Sequence, residues 1–474
     1  MSYLDENVAS IIRDGFDRLA ADREYWQKKN WYYYSDQHRF YRFLVSEGLR
    51  VLELGCGLGD LLAAVQPKRG LGIDFSEGMV KEARRRHPHL EFRAADVETM
   101  ELEEKFDVII LSDVIGHLFD VETVLRRLHR CCTPRTRLII SYYNFLWEPI
   151  LRVGEWLGLK MPQQQQNWLA PPDIVNLLHL TDYEVVKSER RLLLPKSIPL
   201  VSALVNRMFA ILPGIRTMCL CHYVVARTRY PINEKKYSTT IVIPCRNERG
   251  NIEDAISRIP SFGDHQEIIF VDGHSTDGTQ EKIQRMIQHY PDRDIHLLVQ
   301  DGKGKADAVR KGFAQAHGEI LMILDADLTM PPEDLPKFYQ AIASGKGEFI
   351  NGSRLVYPME TEAMQALNVL GNKFFSLAFS WLLNQRIKDT LCGTKVLFRE
   401  DYHRIEQNRH YFGDFDPFGD FDLLFGASKL NLKILEVPIR YRQRRYGSTN
   451  IQRFLHGWLL LKMTIYALFK LKAV

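Results

Sequence analysis

The sequence predicts an α/β protein of two domains, each a parallel or mostly parallel sheet covered by helices on both faces. Three observations predict it. At 474 residues the chain is too long for one hydrophobic core and suits two or three. Strand-like apolar runs alternate with helical segments in two separate series, one on each side of residues 228 to 237. Each series opens with an apolar strand that runs into a turn suited to holding a charged ligand: Gly55, Gly57 and Gly59 in the first, Pro244, Asn247 and Glu248 in the second.

The composition narrows the classes. With 45% hydrophobic and 26% charged residues the chain is an ordinary folded protein, which excludes disorder, collagen or coiled coil for the whole. The 63 Lys and Arg against 59 Asp and Glu leave a net charge of +4, so no nucleic-acid partner is expected. The seven cysteines are odd in number and scattered without a CxxC pair, which predicts a reducing compartment and no disulfide framework. Cys219, Cys221 and His222 are metal-ligand types, but LCHYVVAR reads as a buried strand. The opening MSYLDENVAS is acidic and lacks an apolar stretch, so it predicts no secretory signal and a cytoplasmic protein. Segments 198–215, 366–384 and 454–471 approach the length of a spanning helix but are interrupted by Arg207, Lys373 and Lys462. They read as core helices or as interfacial helices with snorkelling lysines, which leaves peripheral contact with the inner face of a membrane open.

The first domain is expected over residues 1–229, a linker over 230–237, and the second domain over 238–474. After polar and aromatic helical sequence over residues 5–47, Arg50 to Leu54 form an apolar strand. The glycines behind it let the backbone turn sharply and approach a ligand. Their spacing is GxGxG, with Asp60 where a dinucleotide fingerprint needs its last glycine, which speaks against NAD and FAD. The next strand ends in Asp74, where a carboxylate can accept from both hydroxyls of a ribose. LEFRAADVE carries Asp96, and FDVIILSDVIGHL closes with Ser112, Asp113 and His117. RTRLIISYYN follows.

Residues 50–144 resemble a class I S-adenosylmethionine-dependent methyltransferase, carried by VLELGCGLGD, GIDFS, AADVE, FDVIILSDVIGHL and LIISYYN in that order. The resemblance implies a Rossmann-like sheet with Glu53, Gly55, Gly57 and Gly59 around the methionine part of S-adenosylmethionine, Asp74 on its ribose and Asp96 on its adenine. Methyl transfer from a sulfonium is an in-line displacement in which positioning does most of the work. An acceptor hydroxyl or ammonium needs a base, and His117, at a strand end facing the acceptor region, is the candidate; structural packing is its alternative.

In the second half, TTIVIPCRNERGN places Pro244, Arg246, Asn247 and Glu248 at a strand end. EIIFVDGHSTDGT ends a strand at Asp272 and adds Asp277, DGKGKADAV supplies Lys303 and Lys305, and EILMILDAD ends in Asp325-Ala326-Asp327. Two carboxylates one residue apart at a strand end project to the same side, and with little basic sequence nearby they would repel without a cation between them. Hard oxygen ligands suit Mg²⁺ or Mn²⁺, which would bind a diphosphate.

This pattern resembles the inverting family-two glycosyltransferases of the GT-A fold over about residues 238–450. It implies a nucleotide-sugar donor, with Asp272 on the base beside Pro244, Arg246, Asn247 and Glu248. Asp277 would support the loop, Lys303 and Lys305 would lie near the pyrophosphate, and Asp325 and Asp327 would hold the metal. NGSRLVYP, IKDTLCGTKVLFRE and FGDFDLLF resemble the polyprenyl-phosphate sugar synthase branch. That branch implies a polyprenyl phosphate or glycan acceptor, with Arg354 and either Arg444 or Arg445 on the acceptor phosphate. Asp422, with Asp420 close behind, occupies the position of the family's base, which a sugar hydroxyl would require and a phosphate oxygen would not. Arg440, Arg442, Arg444 and Arg445 are expected to divide between two faces if they lie on a strand. The expectation is a bifunctional methyltransferase and glycosyltransferase; the alternative is a glycosyltransferase acting on a saccharide hydroxyl, with a non-catalytic first domain.

Overall fold

The computed structural model describes residues 22–162, 166–229, 235–354, 366–411, 420–444, 446 and 453–472, together with residues 15, 17 and 20. The chain divides into two compact units, Met1–Arg229 with Lys472–Val474, and Tyr230–Leu471. Residues 230–234 of the expected linker lie outside the described residues.

The strands of the first unit, β1 to β7, are Arg50–Leu54, Arg69–Asp74, Glu91–Ala94, Val108–Ser112, Arg137–Tyr143, Tyr183–Arg191 and Cys221–Thr228. They form one sheet in the order β3-β2-β1-β4-β5-β7-β6. β1 to β5 run parallel, and β7 lies antiparallel between β5 and β6. β5 and β7 are buried along their whole length, which is why RLIISYY and CHYVVART read as continuous apolar runs rather than alternations. Cys221 and His222 are thereby ordinary residues of a buried strand.

The strands of the second unit, β8 to β14, are Thr239–Cys245, Gln266–Asp272, Asp294–Val299, Ile320–Ile323, Phe349–Ser353, Lys395–Phe398 and Ile434–Pro438. Their order is β10-β9-β8-β11-β13-β12-β14. β10, β9, β8 and β11 are parallel, β13 is antiparallel to both β11 and β12, and β14 is parallel to β12. In both sheets the first strand in sequence, β1 or β8, is a central one, and the chain crosses over next to it. Ligands in open α/β sheets bind outside the carboxyl ends of the strands at such a reversal. Both units are thus mixed α/β sheets of seven strands with a parallel block beside the crossover.

The helices Ala366–Leu383 and Arg453–Leu471 are two-faced. Phe379 and Leu382 are buried, with Phe379 stacked on Phe425 at 5.5 Å, whereas Phe374 and Leu377 are exposed. Met463 and Ala467 are buried, and Trp458 and Phe469 are exposed. Among the described residues no helix is long and apolar enough to cross a membrane.

Candidate active sites

At the carboxyl end of β1 the glycine turn shapes a cavity of about 200 Å³. Gly55 sits at φ +70, and a Cβ on it would lie 2.6 Å from Val114 Cγ2, so a side chain is excluded by both backbone and space. Gly57, at φ +51, has nothing within 4 Å of where its Cβ would be, and its N–H donates to Asp74 Oδ2 at 2.7 Å. Asp74 Oδ1 accepts from the Ser76 N–H at 3.0 Å, which fixes the carboxylate at the end of β2.

Glu53, Gly55, Gly57, Asp74, Asp96 and His117 all line this cavity. Gly59 does not: its left-handed φ of +76 starts the helix Asp60–Ala64, and a Cβ there would strike Phe92 at 2.5 Å. It therefore shapes the turn from behind, a correction to the expected arrangement around the ligand. His117 closes the short turn Ile115–His117 beyond β4 rather than ending the strand itself.

The lining contains six carboxylates and one guanidinium, that of Arg23. Burial pushes the Glu53 carboxyl well above the usual range, and it also raises Asp74 and Asp113. Among the described residues, Glu53 Oε2 is buried without a hydrogen-bond partner. A buried acceptor with no donor costs roughly 1–3 kcal/mol unless a ligand supplies one. The cavity thus fits a ligand with a cationic centre and an amino group, as S-adenosylmethionine has. Burial, with Arg23 and Lys160 nearby, pushes His117 down to about 4, so its imidazole is neutral at pH 7.

Part of this site escaped the sequence reading. Arg23, Tyr34 and Gln37 reach the cavity from the helical segments before β1. Asp113, at φ +56, accepts from Tyr33 Oη at 2.5 Å and Gln37 Nε2 at 2.9 Å. Tyr33 and Gln37 are spaced i, i+4 on the helix Trp31–Leu44, the one signal that they share a face.

In the second unit, parallel pairing sets Cys245 beside Asp272 and so gathers Pro244, Arg246, Asn247 and Glu248 at the ends of β8 and β9. Asn247 adopts φ +57; its N–H donates to Ser275 Oγ, and its Oδ1 accepts from the Thr276 N–H. Asp272 is fully buried; its Oδ2 accepts from the Ser275 N–H and Gln280 Nε2, and among the described residues its Oδ1 has no partner. Asp277 accepts from the N–H groups of Arg249 and Thr279, which braces the loop.

Asp325 and Asp327 follow β11. The basic groups that sequence distance concealed are beside them. Lys305 Nζ lies 2.5 Å from Asp325 Oδ1, and Arg444 Nη2 lies 2.7 Å from Asp327 Oδ2. This corrects the expectation of an acidic pair without nearby counter-ions. Burial raises Asp325, but Lys305 outweighs it and the carboxyl is held below its ordinary range. A Cβ on Gly393 would fall 2.0 Å from Asp325 Oδ2, so only glycine leaves room for that carboxylate. Hard carboxylate oxygens at one strand end fit a Mg²⁺ or Mn²⁺ ion that displaces the two side-chain cations. Arg444 also reaches Glu248 at 3.4 Å, which joins the β8 loop to the acidic pair. Lys303 is exposed.

Three further expectations change. β14 ends at Pro438, so Arg440, Arg442 and Arg444 follow it in irregular backbone, where strand alternation does not apply. Arg354 turns its fork onto buried Asp389, with Nε to Oδ2 at 2.7 Å and Nη2 to Oδ1 at 2.8 Å, rather than presenting it to a ligand. Asp422 is buried, and its Oδ2 meets Arg409 at 2.8 Å and Arg310 at 3.4 Å, so the expected base carboxylate is engaged by two guanidinium groups. Arg445 lies outside the described residues, as does the side chain of Asp420. The grouping of Glu267, Asp294 and His296 has ligand-like spacing but sits near the amino ends of β9 and β10. Glu267 already accepts from Thr240 and His317.

Comparison with known proteins assigns a family to a stretch of each unit. Residues 45–179 match the methyltransferase domain family, and residues 240–405 match glycosyl transferase family 2. The two units thus carry two transferase domains. The first is a methyltransferase domain, and the second is a family 2 glycosyltransferase domain. The chain is 33% identical over 220 residues to a dolichol-phosphate mannosyltransferase of Pyrococcus furiosus, across 45% of this chain and 59% of that protein. It is 29% identical over 222 residues to the glycosyltransferase AglJ of Haloferax volcanii, across 46% of this chain and 68% of that protein. Among solved structures, the magnesium protoporphyrin IX methyltransferase of Synechocystis with bound SAH is 19% identical, at a TM-score of 0.33 over 46% of this chain and 99% of that one. A Pyrobaculum calidifontis mannosyltransferase in complex with GDP-Man and Mn²⁺ is 20% identical, at a TM-score of 0.34 over 48% of this chain and 61% of that one.

Proposed function

We propose that the chain is a bifunctional transferase. One unit moves a methyl group from S-adenosylmethionine, and the other makes a metal-dependent, inverting transfer of a sugar from a nucleotide sugar to a polyprenyl phosphate. The observation that carries the sugar transfer is the Asp325–Asp327 pair, with Lys305, Arg444 and Glu248 converging on it at the end of β11. Relatives named for dolichol phosphate support the acceptor class.

In the first unit Glu53 would accept from the amino group of S-adenosylmethionine, Asp74 would hold the ribose and Asp96 the adenine. The sulfonium supplies an already activated methyl group. The chain's task is to align an acceptor against it, in a cavity lined mostly by acidic side chains. His117, at about 4, is a weak base and orients an acceptor more readily than it deprotonates one.

In the second unit Asp272 and its neighbours would hold the nucleoside, and Asp325 and Asp327 would hold Mg²⁺ or Mn²⁺. The metal supplies charge neutralisation for the departing diphosphate. Lys305 and Arg444, once released from the carboxylates, are placed to meet the same phosphate oxygens. A lipid phosphate brings its own anionic nucleophile, which suits a site whose Asp422 is held by two arginines. The engagement of Arg354 by Asp389 favours the alternative, a saccharide hydroxyl acceptor with Asp422 or Asp420 as base and a first unit that only binds its cofactor. Both transfers are read as acting on one methylated glycolipid.

The test is nucleoside diphosphate release from UDP-, GDP- and dTDP-sugars with Mn²⁺ or Mg²⁺, with and without a short polyprenyl phosphate. Release that the lipid stimulates for one donor is the expected result. Metal-dependent release indifferent to the lipid would overturn the acceptor assignment.

A further inference from the structure

One region of the first unit is built against the usual rule of burial. Among the described residues, 25 large apolar side chains are exposed, and 15 of them fall in two short segments, 145–159 and 198–218. The helix Glu148–Trp156 has no buried residue at all: Ile150 is 55% exposed, Val153 53% and Trp156 84%. In the second segment Leu200 is 89% exposed, Leu204 50% and Met208 58%.

The two segments form one face, because both ends are tied together. Trp147 Nε1 donates to the Met218 carbonyl at 2.7 Å, and Lys196 Nζ donates to the Leu159 carbonyl at 3.2 Å. Soluble monomers rarely expose contiguous apolar patches beyond about 300–600 Å² without a function for them.

Charge says what covers this face. From residue 190 to residue 233 there is no Asp or Glu, while Lys196 and Arg207 lie in or beside the second segment and Arg216 is paired with Glu189 at 2.8 Å. Arg207 is exposed. The two acids of the first segment are neutralised, Glu148 by Arg152 at 2.5 Å and Glu155 by Lys160 at 2.5 Å. Exposed leucine and tryptophan with an uncompensated cation is the composition of a surface that lies in the headgroup region of an anionic bilayer.

The face also borders the methyl-transfer cavity. Met161, two residues beyond Leu159, lines that cavity, and Lys160 Nζ stands 5.9 Å from the ring of Tyr143, which lines it as well. We propose that the surface formed by residues 145–159 and 198–218 seats the methyltransferase unit on an anionic lipid bilayer, so that the methyl acceptor enters the cavity from the membrane as part of a lipid-linked molecule. The class of methyl acceptor rests on the reading of that unit as an S-adenosylmethionine-dependent methyltransferase; the seating itself does not.

Hydrogen exchange on the full chain tests it, with vesicles of phosphatidylglycerol and phosphatidylethanolamine, with phosphatidylcholine vesicles, and with none. Exchange over 148–156 and 201–212 is expected to slow at least threefold with the anionic vesicles. It should return to the free rate in the triple variant Trp156→Ser/Leu200→Ser/Leu204→Ser. Arg207→Glu is the milder variant and should lower vesicle affinity severalfold. No slowing, equal slowing by phosphatidylcholine, or slowing without vesicles as protein concentration rises would each overturn the proposal. S-adenosylmethionine binding by calorimetry in the same variants should be unchanged. Its absence in the wild-type chain would defeat the methyltransferase reading and leave the seating to be judged on exchange alone.

Discussion

The two candidate sites handle charge in opposite ways. In the first unit the cavity is lined by six acidic side chains and one guanidinium, and among the described residues Glu53 Oε2 is buried with no partner. In the second unit the acids are already matched: Asp325 by Lys305, Asp327 and Glu248 by Arg444, Asp389 by Arg354, and Asp422 by Arg409 and Arg310. The first site has a buried acceptor that awaits a donor, so a ligand only has to fill it. In the second the Asp325–Asp327 pair is already neutralised, so a metal and a diphosphate would have to exchange partners with it. Asp325 and Asp327 would hold the metal, and Lys305 and Arg444 would then be free to meet the phosphates. One site is selective because it is unfinished, the other because only a paired cation and anion can replace its internal ion pairs without leaving a buried charge alone.

The largest expected effect tests that exchange. Asp327→Asn removes a metal oxygen charge and frees Arg444, and should lower nucleoside diphosphate release by about 100-fold or more while leaving S-adenosylmethionine binding intact. Retained turnover would show that the metal site lies elsewhere. Next is the open site. Asp74→Ala loses an acceptor for ribose and the brace on the Gly57 N–H, and should weaken S-adenosylmethionine by about 50-fold in calorimetry. An unchanged affinity would mean the cavity holds something else.

Acid sharpens the contrast in stability. Burial holds His222, on β7, at about 4 in the folded state. A histidine with a lowered folded value favours the folded state above its unfolded value near 6.5, and that contribution is lost as pH falls toward 4. At pH 5 the loss is about 2 kcal/mol. Denaturant unfolding of the first unit should therefore weaken between pH 7 and pH 5, and His222→Asn should flatten that fall. The smallest effect expected is that of Arg444→Ala, about tenfold on donor turnover, because Lys305 remains to meet the diphosphate. An equal loss in Arg444→Lys would show that the fork geometry matters and not only the charge.

The strands that carry chemistry were legible in sequence because they are central and parallel. β1, β2, β4, β8, β9 and β11 are apolar runs that end within two residues of Gly55, Asp74, Ser112, Pro244, Asp272 and Asp325. β10 and β14 escaped notice because they are edge strands with mixed burial, and β12 because FINGS carries glycine and serine. The carboxylates were found where they stand next to a strand end in sequence. Their partners were not, because Arg444 lies 117 residues from Asp327, and Arg409 lies 13 residues from Asp422 and outside its helix. Composition finds charges, but only folding shows which of them are already spent on each other. Arg23 was invisible for the same reason: it approaches the cavity from a segment with no motif.

The central claim is that one chain performs both transfers on a lipid-linked acceptor. Tritium from methyl-labelled S-adenosylmethionine and carbon-14 from a labelled nucleotide sugar, supplied together with polyprenyl phosphate, anionic vesicles and Mn²⁺, follow both at once. The account predicts both labels in one organic-extractable product, with the carbon-14 lost in Asp327→Asn. Sugar label in the lipid with no methyl label in any product would contradict it.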